Sequence, residues 1–473
     1  MKIEQIYTGC LAQGAYYIES NGEAAIIDPL REVQPYIDMA NERGAKIKYV
    51  FETHFHADFV SGHQDLAAKT GSTIVFGPTQ METGFPALIA KDEQEFKLGN
   101  ATVKLLHTPG HTMESSCYLL IDEEGKEEAI FTGDTLFIGD VGRPDLAQKV
   151  IKDLTPEMLA GYLYDSLRNK IMPLADDLIV YPAHGKGSAC GKMMSAETSD
   201  TLGNQKEVNY ALNPKLSKEE FIAEILNGLT PPPSYFPQNV LMNIKGYEGV
   251  DEVVSHGKTA LTAEQFATLA EADDVVVIDT RKAEVYGKAF VPGALNIGLD
   301  GDFAVWVGTV LKDVNQKLVF VADEGREEEV AVRLARIGFD HAMGYLKGGM
   351  DAWVAANFPT ESIETITAAE LAQKYESSNS VILDVRRKSE YDSEHVVGAT
   401  NAPLDYFESN LAMVPQNKTT YVHCAGGYRS MIFVSLARAK GYTNLINVAG
   451  GFKAIKENGT LPVTEYVCPT TML

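Results

Sequence analysis

The sequence is poor in cysteine, tryptophan and positive charge. Five cysteines in 473 residues, odd in number and widely spaced, do not make a disulfide framework. Only 41 lysines and arginines stand against 65 acidic residues, a formal net charge of −24. That balance lacks the basic footprint a polyanion needs, so no nucleic-acid partner is expected. No run approaches the ~18 apolar residues of a membrane span, so no membrane partner is expected either. The opening Met1-Lys2-Ile3-Glu4-Gln5-Ile6 has no apolar core of ~7–15 residues behind a basic end, as a signal peptide would. A reducing cytoplasm is the expected location. The composition, 45% hydrophobic and 22% charged, is that of a globular protein. The length suggests about three domains at ~150 residues each, and the sequence is compatible with a homo-oligomer.

Against this background, His54, Phe55, His56, Ala57 and Asp58 stand out. They read H-x-H-x-D directly after the apolar run Ile47–Phe51, a spacing that lets imidazoles and a carboxylate converge on one metal ion from a loop leaving a strand. Three more candidate ligands follow β-like runs: His111 in Thr108-Pro109-Gly110-His111-Thr112, Asp134 in Phe131-Thr132-Gly133-Asp134-Thr135, and His184 in Tyr181-Pro182-Ala183-His184-Gly185. Ligands at successive strand ends suit a metal site at the rim of a sheet.

The second half repeats itself. Val277-Ile278-Asp279-Thr280-Arg281 returns as Ile382-Leu383-Asp384-Val385-Arg386, Val291–Asn296 as Val396–Asn401, and Leu346-Lys347-Gly348-Gly349-Met350 as Val448-Ala449-Gly450-Gly451-Phe452. The period of about a hundred residues is that of a duplicated domain rather than a solenoid. Apolar runs alternating with helical segments predict parallel α/β sheets. The second copy contains Cys424-Ala425-Gly426-Gly427-Tyr428-Arg429-Ser430, a glycine-rich loop between a strand and a helix. Loop amides at a helix N-terminus, with Arg429 beside them, favour a thiolate and stabilise a persulfide anion. In the first copy, aligned on its strand, Asp323 falls at the place of Cys424 and Glu328 at that of Arg429. A carboxylate cannot accept sulfane sulfur, so this copy is expected to be inactive.

The H-x-H-x-D loop, T-P-G-H-T, F-T-G-D-T-L and Gly142-Arg143-Pro144-Asp145 resemble the metallo-β-lactamase superfamily, most of all its glyoxalase II-like and persulfide dioxygenase branch. The D-x-R runs, the G-A-x-N turns and the late G-G elements resemble rhodanese sulfurtransferase domains. The implied fold is an α/β multidomain chain: a metallo-β-lactamase αββα sandwich over residues 1–247, an inactive rhodanese-like domain over 258–360 and an active rhodanese domain over 361–473, both with parallel sheets. The capping box at Ser217 to Glu220 and the Pro231-Pro232-Pro233 run precede the expected boundary, Lys245 to Lys258.

The resemblance implies chemistry as well. Two-metal relatives carry a second-site histidine where this chain has Phe59, which argues for one metal ion. Carried over from the persulfide dioxygenases, the ligands of one iron(II) are His56, His111 and Asp134, with His54, Asp58 and His184 around them. Two histidines and one carboxylate leave about three positions open, enough for dioxygen and a sulfur substrate. Imidazole suits zinc equally, so zinc stays the alternative. The Cys424-to-Arg429 loop is one residue tighter than that of the cysteine phosphatases it resembles, which favours a sulfur atom over a phosphate. Cys190, flanked by Lys186 and Lys192 among small residues, reads as an accessible second thiol with a lowered pKa, or as an unreactive loop cysteine. Arg143 and Tyr181 are candidate contacts to an anionic substrate, and Arg143 is equally an ion-pair partner. The expected partners are a low-molecular-weight persulfide, dioxygen, sulfite and thiosulfate. The expected function is oxidation of R-S-SH to sulfite coupled to sulfane-sulfur transfer through Cys424. The alternatives are a glyoxalase II-type zinc thioester hydrolase with an appended sulfurtransferase, and a non-enzymatic sulfur carrier or sensor.

Overall fold

The computed structural model describes residues 1–146, 154–229, 231–375 and 379–468, so the last residues of the expected third domain lie outside it. The chain forms two compact units. One holds Met1–Val253 with Val310–Val314 and Val332–Asp340; the other holds Val254–Thr309, Asn315–Ala331 and His341–Leu473. Among the described residues no helix is long and apolar enough to cross a membrane.

The first unit is built on two six-stranded mixed sheets. Lys2–Thr8, Gln13–Ser20, Glu23–Ile27, Lys46–Phe51, Thr73–Phe76 and Leu88–Ile89 lie side by side in that order. The other sheet runs Asp200–Thr201, Ile179–Pro182, Glu127–Gly133, Ser116–Ile121, Ala101–His107, Glu95–Leu98. The period-two pleat sorts their side chains. On Ser116–Ile121, Tyr118 and Leu120 join Tyr16, Phe51 and Phe96 in the core between the sheets. Cys117 and Leu119 turn outward to a second core with Leu163, Phe221 and Ile225. That core is covered by helices Pro156–Ser166 and Lys218–Leu226. Ser217 and Glu220 cap the latter reciprocally, as the sequence predicts. Helices Gln34–Glu42 and His63–Thr70 cover the far face of the first sheet through Tyr36, Ala40 and Leu66. The result is the αββα sandwich. Its ligand-bearing segments all leave the ends of Lys46–Phe51, Ala101–His107, Glu127–Gly133 and Ile179–Pro182.

The second unit holds two five-stranded, all-parallel sheets of the same strand order. One is Ala260–Leu261, Ala342–Leu346, Lys317–Val321, Val275–Asp279, Leu295–Asn296; the other is Thr365–Ile366, Leu445–Val448, Thr419–His423, Ser380–Asp384, Thr400–Asn401. The duplication extends to buried polar parts. Arg281 grips Asp279, and Arg386 grips Asp384, with Nη2–Oδ2 distances of 2.6 Å in both. The amides of Asn296 and Asn401 donate to the backbone carbonyls of these same pairs.

Strand register corrects one alignment. Asp279 pairs with Val321 and Asp384 with His423, so Ala322, not Asp323, occupies the place of Cys424. Gly325, at φ +83°, then matches Gly427, at φ +104°, and Glu327, not Glu328, matches Arg429. The one-residue slip arose because the sequence offered no strand partner to fix the count. The first copy still offers no thiol there.

The Asp384–Arg386 pair is buried on both sides. Removing one partner strands the other charge in a low-dielectric interior. Asp384→Ala is expected to cost about 3–5 kcal/mol of stability, read as a lowered denaturant midpoint for that unit. A loss below about 1 kcal/mol, as for a surface pair, would contradict this.

Candidate metal centre and cysteine loop

The metal pocket starts from Asp28. Its carboxylate accepts the Thr53 amide at 2.7 Å and the Thr53 hydroxyl at 2.8 Å. Having given its proton to Asp28, that hydroxyl can only accept from Nδ1 of His54, 3.0 Å away. The lone pair of His54 therefore sits on Nε2, which points to Asp134 Oδ2 at 3.9 Å. His111 is set by the same logic. Its Nδ1 donates to the carbonyl of Arg143 at 2.8 Å, leaving Nε2 with the lone pair, 3.4 Å from Asp134 Oδ2. Such outer contacts fix tautomer and ring orientation. Burial first, then the rings of His56, His111 and His184, push His54 well below its ordinary pKa, into the neutral form that ligates metals.

The turn that presents Asp134 needs Gly133, which has φ +53° and lies so close to Thr53 that a Cβ would be 2.6 Å from the threonine Cβ. His54, His111 and Asp134 then offer one ligand atom each within 4.8 Å of one another. The second imidazole of the motif, expected with His111 and Asp134, faces elsewhere. His56 Nε2 lies 3.1 Å from Asp28 Oδ1 and 3.4 Å from Glu52 Oε2. Burial disfavours its charged form, but these two carboxylates outweigh it and hold its pKa well above the ordinary value. Phe59 packs on the His56 ring, centroids 4.3 Å apart. His56 also belongs to a second group with Asp58 and His184, within the same 4.8 Å limit. His184 Nε2 stands 3.5 Å from Asp58 and 3.7 Å from Asp134.

Both carboxylate oxygens of Asp134, Nε2 of His184 and Oδ1 of Asp58 are buried without a hydrogen-bond partner. Orphaned buried polar atoms are costly. A cation among them would satisfy several together, and the donor set of imidazoles and carboxylates fits one.

Three other candidate residues have definite surroundings. Cys190 is 1% exposed rather than accessible, and joins Asp134 and His184 as a further group of potential ligands. Lys192 does not serve it, because its Nζ is turned to the carbonyls of Glu224 and Asn227. Burial, then Asp58 and Asp134, push the Cys190 thiol well above its ordinary pKa, against the alternative of a lowered one. Arg143 is buried and grips Asp145 through Nε and Nη2 at 2.6 and 2.7 Å, the ion-pair alternative. The Tyr181 ring packs on Phe131 and Tyr16 against the core between the sheets, where strand alternation turns it. Asn243, which the sequence did not mark, fastens the motif loop. On helix Phe236–Lys245, it donates to the carbonyls of His56 and Phe59 and accepts from the Ser61 amide.

The cysteine loop lies in the other unit. Cys424, 1% exposed, accepts the Gly427 amide at Sγ, 3.1 Å away. Helix Tyr428–Ala439 begins there, so its N-terminal dipole faces the sulfur. The Phe452 amide holds the Cys424 carbonyl at 2.7 Å. Gly451 permits this approach, since a Cβ there would lie 2.4 Å from the same carbonyl oxygen. Arg429 is clamped by Glu390 through two bonds of 2.6 and 2.8 Å. Glu390 was missed by sequence reasoning, though the repeat carries a signal: on the spacing that pairs Asp279 with Asp384, the first copy has Val285 at this place, and Glu327 opposite Arg429.

Residues 8–184 match the model of the metallo-beta-lactamase superfamily, and residues 262–356 and 367–458 each match the rhodanese-like domain. A solved metallo-beta-lactamase from Staphylococcus aureus subsp. aureus COL aligns over 73% of this chain and 98% of its own at 30% identity, with a TM-score of 0.64. A probable hydroxyacylglutathione hydrolase of Schizosaccharomyces pombe is 32% identical over 164 residues, 34% of this chain and 58% of the relative. A hydroxyacylglutathione hydrolase of Brucella anthropi is 38% identical over 144 residues, 30% of this chain and 49% of the relative. The chain thus spans about half of each of these curated relatives (58% and 49%). With a buried imidazole–carboxylate pocket at the rim of an αββα sandwich, and the rhodanese-like fold twice later in the sequence, the chain belongs to the metallo-beta-lactamase superfamily, fused to two rhodanese-like domains.

Proposed function

We propose that the chain is a persulfide dioxygenase joined to a sulfurtransferase. The overall reaction at the metal pocket is R-S-SH plus dioxygen and water giving R-SH and sulfurous acid, with one iron(II) per chain. The observation that supports it is the joining, on one chain, of a two-imidazole, one-carboxylate face to a loop whose amide donates to a cysteine sulfur. Iron(II) bound by His54, His111 and Asp134 would supply open positions where dioxygen and a soft sulfur ligand are both accommodated. The protein's own residues do the rest. Thr53 and the Arg143 carbonyl hold the two imidazoles with their lone pairs inward. Cys190, grouped with Asp134 and His184, would lie beside a persulfide bound there.

In the second reaction, Cys424 takes sulfane sulfur and passes it on. Its persulfide anion plus sulfite gives the thiolate plus thiosulfate, one S–S bond broken and one formed, with no net redox change. The Gly427 amide and the helix N-terminus stabilise the anion on either side of that exchange. Joining both activities on one chain raises effective concentration. The sulfane-sulfur donor is a low-molecular-weight persulfide and the acceptor is sulfite, in a cytoplasmic setting.

A second reading, zinc-dependent thioester hydrolysis, draws on the second ligand group of His56, Asp58 and His184. Phe59 on the His56 ring and the turn of His56 Nε2 toward Asp28 and Glu52 weigh against a second ion.

Metal analysis separates the two. Purified protein is expected to carry one iron per chain, and His54→Ala to lose metal and oxygen uptake with a persulfide while keeping sulfur transfer. Two zinc ions per chain would contradict this.

Cys424→Ser is expected to abolish sulfur transfer and leave oxygen uptake intact, so sulfite replaces thiosulfate in product chromatography. A hydroxyl is far less ionised at neutral pH than a thiol. Thiosulfate formed at the wild-type rate by this variant would place the carrier elsewhere, at Cys190 first, since the first rhodanese-like copy has no cysteine and is expected to be inactive. Arg429→Ala should weaken transfer less completely, because the Gly427 amide still faces the sulfur.

A further inference from the structure

The first rhodanese-like copy keeps its buried hardware although Ala322 stands at the sulfur position. One face of helix Tyr428–Ala439, which begins at the Cys424 loop, gives it a use. Tyr428, Met431 and Ser435 share that face at helical spacing. All three meet the first copy. The Ser435 hydroxyl accepts the Asn296 backbone N–H at 3.1 Å, and a Cβ on Gly287 would be 3.3 Å from the Met431 methyl. Tyr428 donates its hydroxyl to the Gly298 carbonyl at 2.8 Å.

The ring of Tyr428 lies in a notch cut by two glycines. A Cβ on Gly298 would be 3.2 Å from ring atom Cε2, and one on Gly301 would be 2.6 Å from both Cε2 and Cζ. Neither glycine has a positive φ, so the backbone does not require glycine at these places and the ring does. The notch follows directly on Asn296, whose side chain is tied to the carbonyls of Asp279 and Arg281. The duplicated polar hardware of the first copy thereby fixes the notch.

We propose that the first rhodanese-like copy positions the sulfur-carrying loop of the second through Tyr428, seated in the Gly298–Gly301 notch. Tyr428 follows Gly427, the residue whose amide faces Cys424 Sγ. A hydroxyl bond and a shaped notch at this point set where that amide points. Tyr428 is a positioning residue, and the inference rests on Cys424 being the sulfur carrier.

The test uses the full chain and follows alkylation of Cys424 by iodoacetamide across pH, read at that cysteine by mass spectrometry, beside sulfur transfer from thiosulfate. Tyr428→Phe removes only the hydroxyl. It is expected to move the alkylation midpoint upward and lower the transfer rate about fivefold, the factor that one net hydrogen bond represents. The nearest atoms that Gly301→Ala meets are those of the Tyr428 ring rather than backbone, so the ring must move. It is expected to do at least as much, and to add nothing in a Tyr428→Ala background, because the notch then has no occupant. An unchanged alkylation profile in Tyr428→Phe and Gly301→Ala, or full additivity of Gly301→Ala with Tyr428→Ala, overturns the proposal. A loss of thermal stability with an unmoved profile also overturns it. Should the wild-type chain transfer no sulfur, the functional reading fails, while the alkylation profiles still decide the role of Tyr428.

Discussion

The carboxylate of Asp28 accepts two hydrogen bonds from Thr53 and faces Nε2 of His56 at 3.1 Å, and the metal pocket is arranged around those contacts. Through Thr53 it sets which nitrogen of His54 carries the proton. By attracting His56 it draws the second imidazole of the motif away from Asp134. One buried carboxylate thus divides two histidines that are near neighbours in sequence between two environments. The Arg143 carbonyl does for His111 what Thr53 does for His54. Neither support is itself a ligand, yet each decides where a lone pair points.

The rhodanese-like half follows a different economy. Both copies keep the buried Asp–Arg grip and the asparagine that satisfies the nearby carbonyls. Only the second combines a cysteine with a glycine loop, and only there do Arg429 and Glu390 meet. Fold and chemistry have separated within one duplication: the polar hardware holds a strand and its turn in both copies, while only the second copy's loop offers a thiol. Charge of either sign near a thiolate matters at this range, which is why Glu327 at the place of Arg429 reinforces the lack of a thiol in the first copy.

Much of this architecture is legible in the sequence because it is local or repeated. The H-x-H-x-D run, the ligands after successive strands, the capping box at Ser217 and the duplicated D-x-R elements each announce themselves within a few residues. What escapes depends on partners distant along the chain. The roles of His54 and His56 are decided by Asp28, on another strand end. Lys192 is drawn from Cys190 to carbonyls at the end of the helix Lys218–Leu226, those of Glu224 and Asn227, far along the chain. The Asp323 alignment slipped by one because only strand pairing fixes the count. Tyr181 was readable: Leu178 and Val180 belong to one core and Tyr181 to the opposite face, the period of a strand.

The central claim is that the metal pocket performs oxygen-dependent sulfur oxidation rather than hydrolysis. The direct measurement is a side-by-side assay of the purified, iron-loaded chain on a low-molecular-weight persulfide and on a glutathione thioester, following oxygen consumption and thioester absorbance. The account expects one dioxygen consumed for each sulfite or thiosulfate formed, each thiosulfate drawing a second persulfide, and no thioester cleavage above background. Thioester turnover without oxygen uptake on the persulfide would contradict it.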